Sequence, residues 1–573
     1  MGAAALLIAI ALAALLLWPS GPKTPRLAAD ETASGPSAQG GAPYSNVRRE
    51  DYVGPQVCGE CHQDRYEQWE GNLHRRMNRL ASEAGAVLGD FNEHRTSYAG
   101  GEVLFGRRGN DYAMSFLREG KVYRRYQVTR TIGSRYMQEY VGVQELGPEP
   151  EGHEIYSREI RLPFGFLLSQ EVWLHQQYFD SWHGAEYDES GTMAQAVFDP
   201  EQSEWRGRCA WCHNTYAFDQ RLARLQGAQQ IGSGIELLYT DSVVAPKQDN
   251  LLPVEDLVSV GISCESCHFG GREHAILGKP IRFEPAGEGV TRSSESPAIA
   301  GTRTDARTIN AICAQCHSTP TALFPNGAGT RNSSEALDLL SGACASKIKC
   351  TDCHDPHVPG PGALAADQDK HIAACLGCHQ NLADPQLARG HSRHQPATTC
   401  LDCHMPRMVQ GIDELIRSHC ISSPIDEEML ATSLNACNLC HLDKSVAWTA
   451  QMLREEFAVP MPTLPELDEV PAAQAWLASD ERIHRLTAAS ALGYSKHGSQ
   501  FLGDLLAVLD APVAYDRLRF LWAIEDILGR ELSRDEYDVT AAPSVRRAQA
   551  AALRAKGGAL TASPAKTEQA TPP

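Results

Sequence analysis

The chain has 573 residues and a formal charge of −19, with 42% hydrophobic and 21% charged residues, a globular balance long enough for several domains. No Lys/Arg-rich stripe offsets the acidity, which excludes a nucleic-acid binder. The anomaly is cysteine: 18 in all, 16 of them in one repeated pentapeptide.

In chain order, residues 1–26 carry an uncharged apolar run, AAALLIAIALAALLLW, closed by Pro19, Ser20, Gly21 and Pro22. This reads as a signal peptide or a membrane anchor, with Lys23 and Arg26 on the unusual side of the run. Residues 27–50 are rich in Ala, Gly, Ser and Pro and read as a flexible linker, so folded structure is expected from about Tyr52. Residues 51–205 hold one cysteine motif and, over 100–162, alternating apolar and polar residues with a hairpin turn at Arg118-Glu119-Gly120. A small antiparallel β region near the N-terminus follows.

Seven motifs crowd into residues 206–445, too densely for a conventional side-chain core. Residues 446–545 lack cysteine and show helical periodicity in VAWTAQMLREEF, RIHRLTAASALGY and VAYDRLRFLWAIEDILG. They are expected to form a HEAT-like α-hairpin segment packed on the preceding domain through the VAWTAQML helix. Residues 546–573 read as a disordered tail.

The pentapeptide is Cys-x-x-Cys-His. It occurs at Cys58/Cys61/His62, Cys209/Cys212/His213, Cys264/Cys267/His268, Cys313/Cys316/His317, Cys350/Cys353/His354, Cys375/Cys378/His379, Cys400/Cys403/His404 and Cys437/Cys440/His441. Two residues between the thiols let both sulfurs reach the vinyl groups of one porphyrin, and the adjacent His then lies under the iron. A zinc knuckle or a redox dithiol has no need of His after every second Cys. Eight covalent haems c are expected, with the fold mainly α, little regular structure around a packed multihaem core, and the macrocycles supplying most of the buried apolar mass. Cys344 and Cys420 are left over, as a disulfide or as two thiols.

Thirteen His lie outside the motifs. Eight distal ligands would make every haem six-coordinate and low-potential, suited to electron transfer. His74, His274, His357, His371, His391, His394 and His419 are the candidates by their placement around the motifs; His153, His175 and His183 rank lower. His94, His484 and His497 read as solvated, and Met405 as packing rather than a thioether ligand.

The stretches VCGECHQDRYEQWEGNLHRRM (57–77), VGISCESCHFGGREHA (260–275), CTDCHDPH (350–357), HSRHQPATTCLDCHMPR (391–407) and NACNLCHLDKSVAW (435–448) resemble the multihaem cytochrome c superfamily. That group includes the tetrahaem cytochrome of ammonia oxidisers, pentahaem nitrite reductases and octahaem hydroxylamine oxidoreductase, and the resemblance is nearer to members fused to HEAT or tetratricopeptide repeats. It implies closely packed haems. The nitrite reductases mark their catalytic haem with Lys in place of the motif His, whereas all eight motifs here carry His.

The expectation is a periplasmic protein, or one anchored at the outer face of the cytoplasmic membrane, since c-type attachment takes place outside the bacterial cytoplasm. It would pass electrons along its haems between redox protein partners, a quinol-linked donor and a terminal reductase or oxidase. The alternative is an oxidoreductase acting on a small nitrogen or sulfur compound at one five-coordinate haem. The Cys313/Cys316/His317 site is then favoured, because residues 318–343 contain no His.

Overall fold

The alternation after residue 78 folds as written. Strands β1 (Asn78–Leu80), β2 (His94–Tyr98), β3 (Gly101–Arg108), β4 (Asp111–Arg118), β5 (Lys121–Ile132), β6 (Met137–Leu146), β7 (Ile160–Arg161), β8 (Phe164–Leu167) and β9 (Val172–His175) build one antiparallel sheet. Its order is β2-β3-β4-β5-β6-β8-β9, with β1 on β5 and β7 on β6. Glu119 and Gly120, both at positive φ (50° and 74°), form the two-residue turn that closes Arg118 on Lys121. Val103, Phe105, Met114, Phe116, Tyr126, Tyr140 and Trp173 fill one face, and Phe105 stacks on Trp173 with ring centres 3.8 Å apart. The β region is therefore larger than expected and has a core of its own; a mainly α description fits only the chain that follows.

The structure is a computed structural model that describes residues 44–98, 100–175, 203–227, 234–247, 251–292, 305–319, 321–358, 368–395, 397–424, 427–432, 434–459, 469–539, 541–557 and 560. The apolar run of residues 1–26 and most of the expected linker lie outside these residues. Among the described residues no helix is long and apolar enough to cross a membrane. The described chain already has folded contacts from Tyr44, ahead of the expected Tyr52. Asn46 and Val47 are buried, and Arg48 pairs with Asp241 and lies 3.8 Å from Asp219, so the last residues of the supposed linker are fixed by charge and burial.

Regular structure in the motif-rich region is sparse, mostly helices of four to ten residues and two-stranded ladders. From 340 to 400 no described side chain is buried. A segment of this length with no interior of its own cannot offset its ordering entropy without another apolar body beside it.

Beyond residue 470 the helices Ala472–Leu477, Arg482–Tyr494, Leu502–Val508, Ala514–Leu528 and Pro543–Lys556 follow one another. Their apolar faces share one buried cluster with Leu167 and Leu174 of the sheet and with Phe324, Met408, Val409, Leu434 and Leu442. The shared cluster meets the motif region at the hairpin Arg407–Gln410/Leu415–Arg417, and the VAWTAQML helix makes a second contact with that region, its Trp448 ring 5.0 Å from that of the motif His441. Thr487 Oγ1 donates to the Met408 carbonyl at 3.5 Å, and Tyr515 Oη to the Gly411 and Ile412 carbonyls at 3.1 Å. Helix Val446–Phe457 also packs on Leu430 through Val446, Ala450 and Leu453. The expected tail from 546 is also corrected: the chain is helical through Lys556, with Arg546 buried and paired to Asp510 at 3.0 Å.

Candidate haem-binding sites

Each motif is a single helical turn. The amide of the motif His donates to the carbonyl of the first Cys in seven of the eight, from His62 on Cys58 (2.9 Å) to His441 on Cys437 (3.0 Å), and Cys400–His404 is itself a helix. An i, i+3, i+4 arrangement sets both thiols and the imidazole on one face, as three bonds to one porphyrin require. All 16 motif cysteines are unbridged thiols, and Cys344 and Cys420 also stand as separate thiols.

Cys61, Cys378 and Cys440 are exposed, whereas the other 13 motif thiols are half-buried. Cys61 is the last residue of helix Pro55–Cys61, and the Cys378 amide donates to the Cys375 carbonyl at 3.2 Å, at the end of helix Gln368–Leu376. Each stands where a short helix runs out.

The geometry of the second ligands is the main finding. A metal–imidazole bond is about 2 Å and the ring centre lies roughly 1 Å behind its nitrogen, so two imidazoles on one iron have centres about 6 Å apart. Six motif histidines face a second histidine at that spacing: His62 with His274 (6.1 Å), His317 with His74 (6.5 Å), His268 with His357 (6.4 Å), His354 with His419 (6.3 Å), His404 with His391 (6.1 Å) and His441 with His394 (6.2 Å). Among the described residues no group of three or more His, Cys, Asp or Glu gathers as a metal site; the imidazoles meet in twos.

Ring anchoring fits the same use, because a ligating His commonly gives its other N–H to a carbonyl or carboxylate. His274 Nδ1 donates to the Lys279 carbonyl (2.7 Å), His404 Nδ1 to that of Ser422 (2.9 Å), His213 Nδ1 to that of Met77 (3.4 Å), His317 Nδ1 to Glu335 (3.2 Å) and His357 Nδ1 to Asp355 (3.0 Å). Burial pushes the imidazoles of His74, His268 and His354 down to about 4, so they are neutral bases at pH 7 with a lone pair to offer. Glu335 carries no sequence signal; only the fold brings it to His317.

Of the seven favoured candidates, six stand opposite a motif His. His371 does not. Its Nε2 donates to the Cys353 carbonyl (3.1 Å) and its ring sits 5.7 Å from His354, which already faces His419. His213 and His379 have no imidazole at the ligand spacing among the described residues. His175 is stacked on Tyr98 (5.0 Å) inside the sheet core, His153 caps a short turn at Ile155, and His183 lies outside the described residues. His94 is partly exposed beside Asp90, whereas His484 is buried on Ser479 and His497 reaches Asp443, so neither of the last two is simply solvated. With His391 opposite His404, Met405 has no ligand role there.

The motifs are spatial neighbours in an order that is not their order in the chain. Cys58 of the first lies against Cys264 of the third, Cys212 of the second against Cys316 of the fourth, and Cys313 of the fourth against Cys350 of the fifth. Cys267 and Cys316, Cys353 and Cys375, Cys375 and Cys400, and Cys403 and Cys437 are also electrostatic neighbours. The run is first, third, fourth, fifth, sixth, seventh, eighth, with the second attached at the fourth.

These turns and paired imidazoles are the arrangement with which a multihaem c-type cytochrome would hold its covalent haem c. The cytochrome c552 family matches residues 386–461, which hold the seventh and eighth motifs and both of their facing histidines. No curated protein matches. Among solved structures the chain is similar to the outer cell wall cytochrome OcwA, at TM-score 0.39 and 12% identity over 89% of this chain and 100% of that one.

Proposed function

We propose that all eight motifs carry haem and that the protein is an octahaem electron carrier of the periplasm or the outer face of the cytoplasmic membrane. The observation that carries this reading is the six imidazole pairs at 6.1 to 6.5 Å, since two nitrogen ligands hold an iron six-coordinate and leave it no place for a substrate. Haem c supplies one-electron redox chemistry; the chain supplies paired ligands and motifs in continuous succession. Electrons enter from a quinol-linked donor and leave to a terminal reductase or oxidase, and the helices beyond 470, read as HEAT-like hairpins, pack over the haem region. Intact mass and iron-to-protein ratio of the purified protein test the count: eight haems are expected, and six or fewer refute it.

The enzymatic alternative changes place. His74 opposite His317 supplies the second ligand missing from residues 318–343, so the fourth motif is no longer its site. A five-coordinate haem would have to stand at His213 or His379. The ferric EPR spectrum separates the readings: a signal that is entirely low-spin leaves the carrier alone, and a high-spin fraction that binds nitrite or hydroxylamine favours the oxidoreductase.

A further inference from the structure

The second and fourth motifs meet around a buried ionic cluster that haem attachment does not require. Arg221 and Arg224, one turn apart on helix Phe218–Gly227, both lie against the indole of Trp211, a residue inside the second motif, with guanidinium carbons 5.5 and 4.4 Å from the ring centre. Arg221 Nη1 donates to the Trp211 carbonyl (2.8 Å), and its Nη2 lies 3.4 Å from the Gln315 carbonyl and 4.0 Å from Cys316 Sγ. Arg224 Nη2 donates to the Gly207 carbonyl (3.2 Å). One guanidinium is thus held by backbone from both motifs and touches the thiol of the fourth.

Among the described residues one carboxylate meets this pair. The carboxylate facing the pair is that of Glu236, whose Oε1 is 3.9 Å from Arg221 Nη2, an ion-pair distance beyond hydrogen bonding. Arg221 and Glu236 are 7% and 1% exposed in their side chains, and Arg221 Nε, Arg224 Nε and Glu236 Oε2 make no hydrogen bond. Arginine keeps its proton even when buried, so among the described residues two fixed cations face one carboxylate. Such an arrangement is costly for stability alone, because a buried ion pair seldom recovers its desolvation and an unmatched cation does so less.

We infer that Arg221 and Arg224 raise the reduction potentials of the haems carried by the second and fourth motifs. Reduction of each haem iron adds one electron from a neighbouring haem and needs no proton, and a fixed positive charge in a low-dielectric setting favours the form with the extra electron. The fourth motif adjoins the second, third and fifth, so the electron comes to rest at the junction of the chain rather than at either end. The inference depends on both motifs being haem sites.

Redox titration of the holoprotein, followed optically and by EPR, tests it. Arg221→Gln and Arg224→Gln should each lower the reduced-to-oxidised ratio of the affected haems by about tenfold at fixed potential, about 59 mV for one electron. Arg221→Lys should stay near wild type, and Glu236→Gln at or above it. Unchanged potentials in both glutamine variants overturn the inference. So does a fall in Glu236→Gln of the same sign as in Arg221→Gln, because packing damage ignores charge. If Arg221→Gln loses haem, Arg224→Gln carries the test. Haem count by mass is taken first on the wild type: a missing haem at Cys209/Cys212 or Cys313/Cys316 defeats the haem reading itself, a result distinct from unmoved potentials.

Discussion

Removing the chain from residue 465 onward is the most informative perturbation, because the shared core makes a definite demand. Met408, Val409, Leu434 and Leu442 are at most 2% exposed and belong to the cluster built with the helices beyond 470. Full burial of such a side chain contributes about 2 kcal/mol, so losing half the cover of four costs about 4 kcal/mol. The donated bonds from Tyr515 to the Gly411 and Ile412 carbonyls go too, adding roughly 1 kcal/mol each. The sum is comparable with the whole margin of a typical domain, about 5–15 kcal/mol. The truncated protein should therefore lose haem or become protease-sensitive near residues 407–442, read by haem content and limited proteolysis against the full chain. A truncated protein with all its haems and an unchanged melting profile would refute the shared-core argument.

His274→Ala and His74→Ala should each keep every haem attached while turning one haem high-spin, at the first and fourth motifs respectively; low-spin spectra in both would sink the pairings. His371→Ala should leave the spin count of the purified protein untouched, since that ring holds the Cys353 carbonyl. Glu335→Gln weakens the negative partner of His317 and should raise the potential of the fourth-motif haem in a redox titration, and no movement would mean the carboxylate does not act through the ring. Gly261, at φ 79° with the Arg75 carbonyl 2.4 Å from where a Cβ would stand, should not tolerate Ala: a loss of about 1–3 kcal/mol in thermal unfolding is expected, with the segment carrying His74 displaced.

The motif histidines were legible because three bonds to one cofactor are written in five consecutive residues. The strand alternation was legible for the same local reason, and the turn at Glu119-Gly120 fell where residue type placed it. Partner histidines could be picked as a set, but not matched: His74 serves the fourth motif and His274 the first, pairings made by tertiary folding alone. His371 shows the error that neighbourhood invites, for its nearness to the sixth motif in sequence places it on the helix that carries Cys375, where its Nε2 turns to a backbone oxygen. Arg221, Arg224 and Glu335 gave no signal at all, since a charged residue on an amphipathic helix reads as solvated until something covers it.

The pairing pattern also sets a timetable. His391 with His404 and His394 with His441 close within short stretches of chain, whereas His74 must find His317 and His274 must find His62 across more than two hundred residues. Contacts of such separation are slow to form and cannot form until the later partner exists. As the chain is made, the first motif would be complete long before His274 arrives to face it, while the last two motifs could meet their facing histidines almost as they appear. The early haems are thus the ones open to misligation, and any accessory that guards a growing cytochrome of this kind has its work at the N-terminal end.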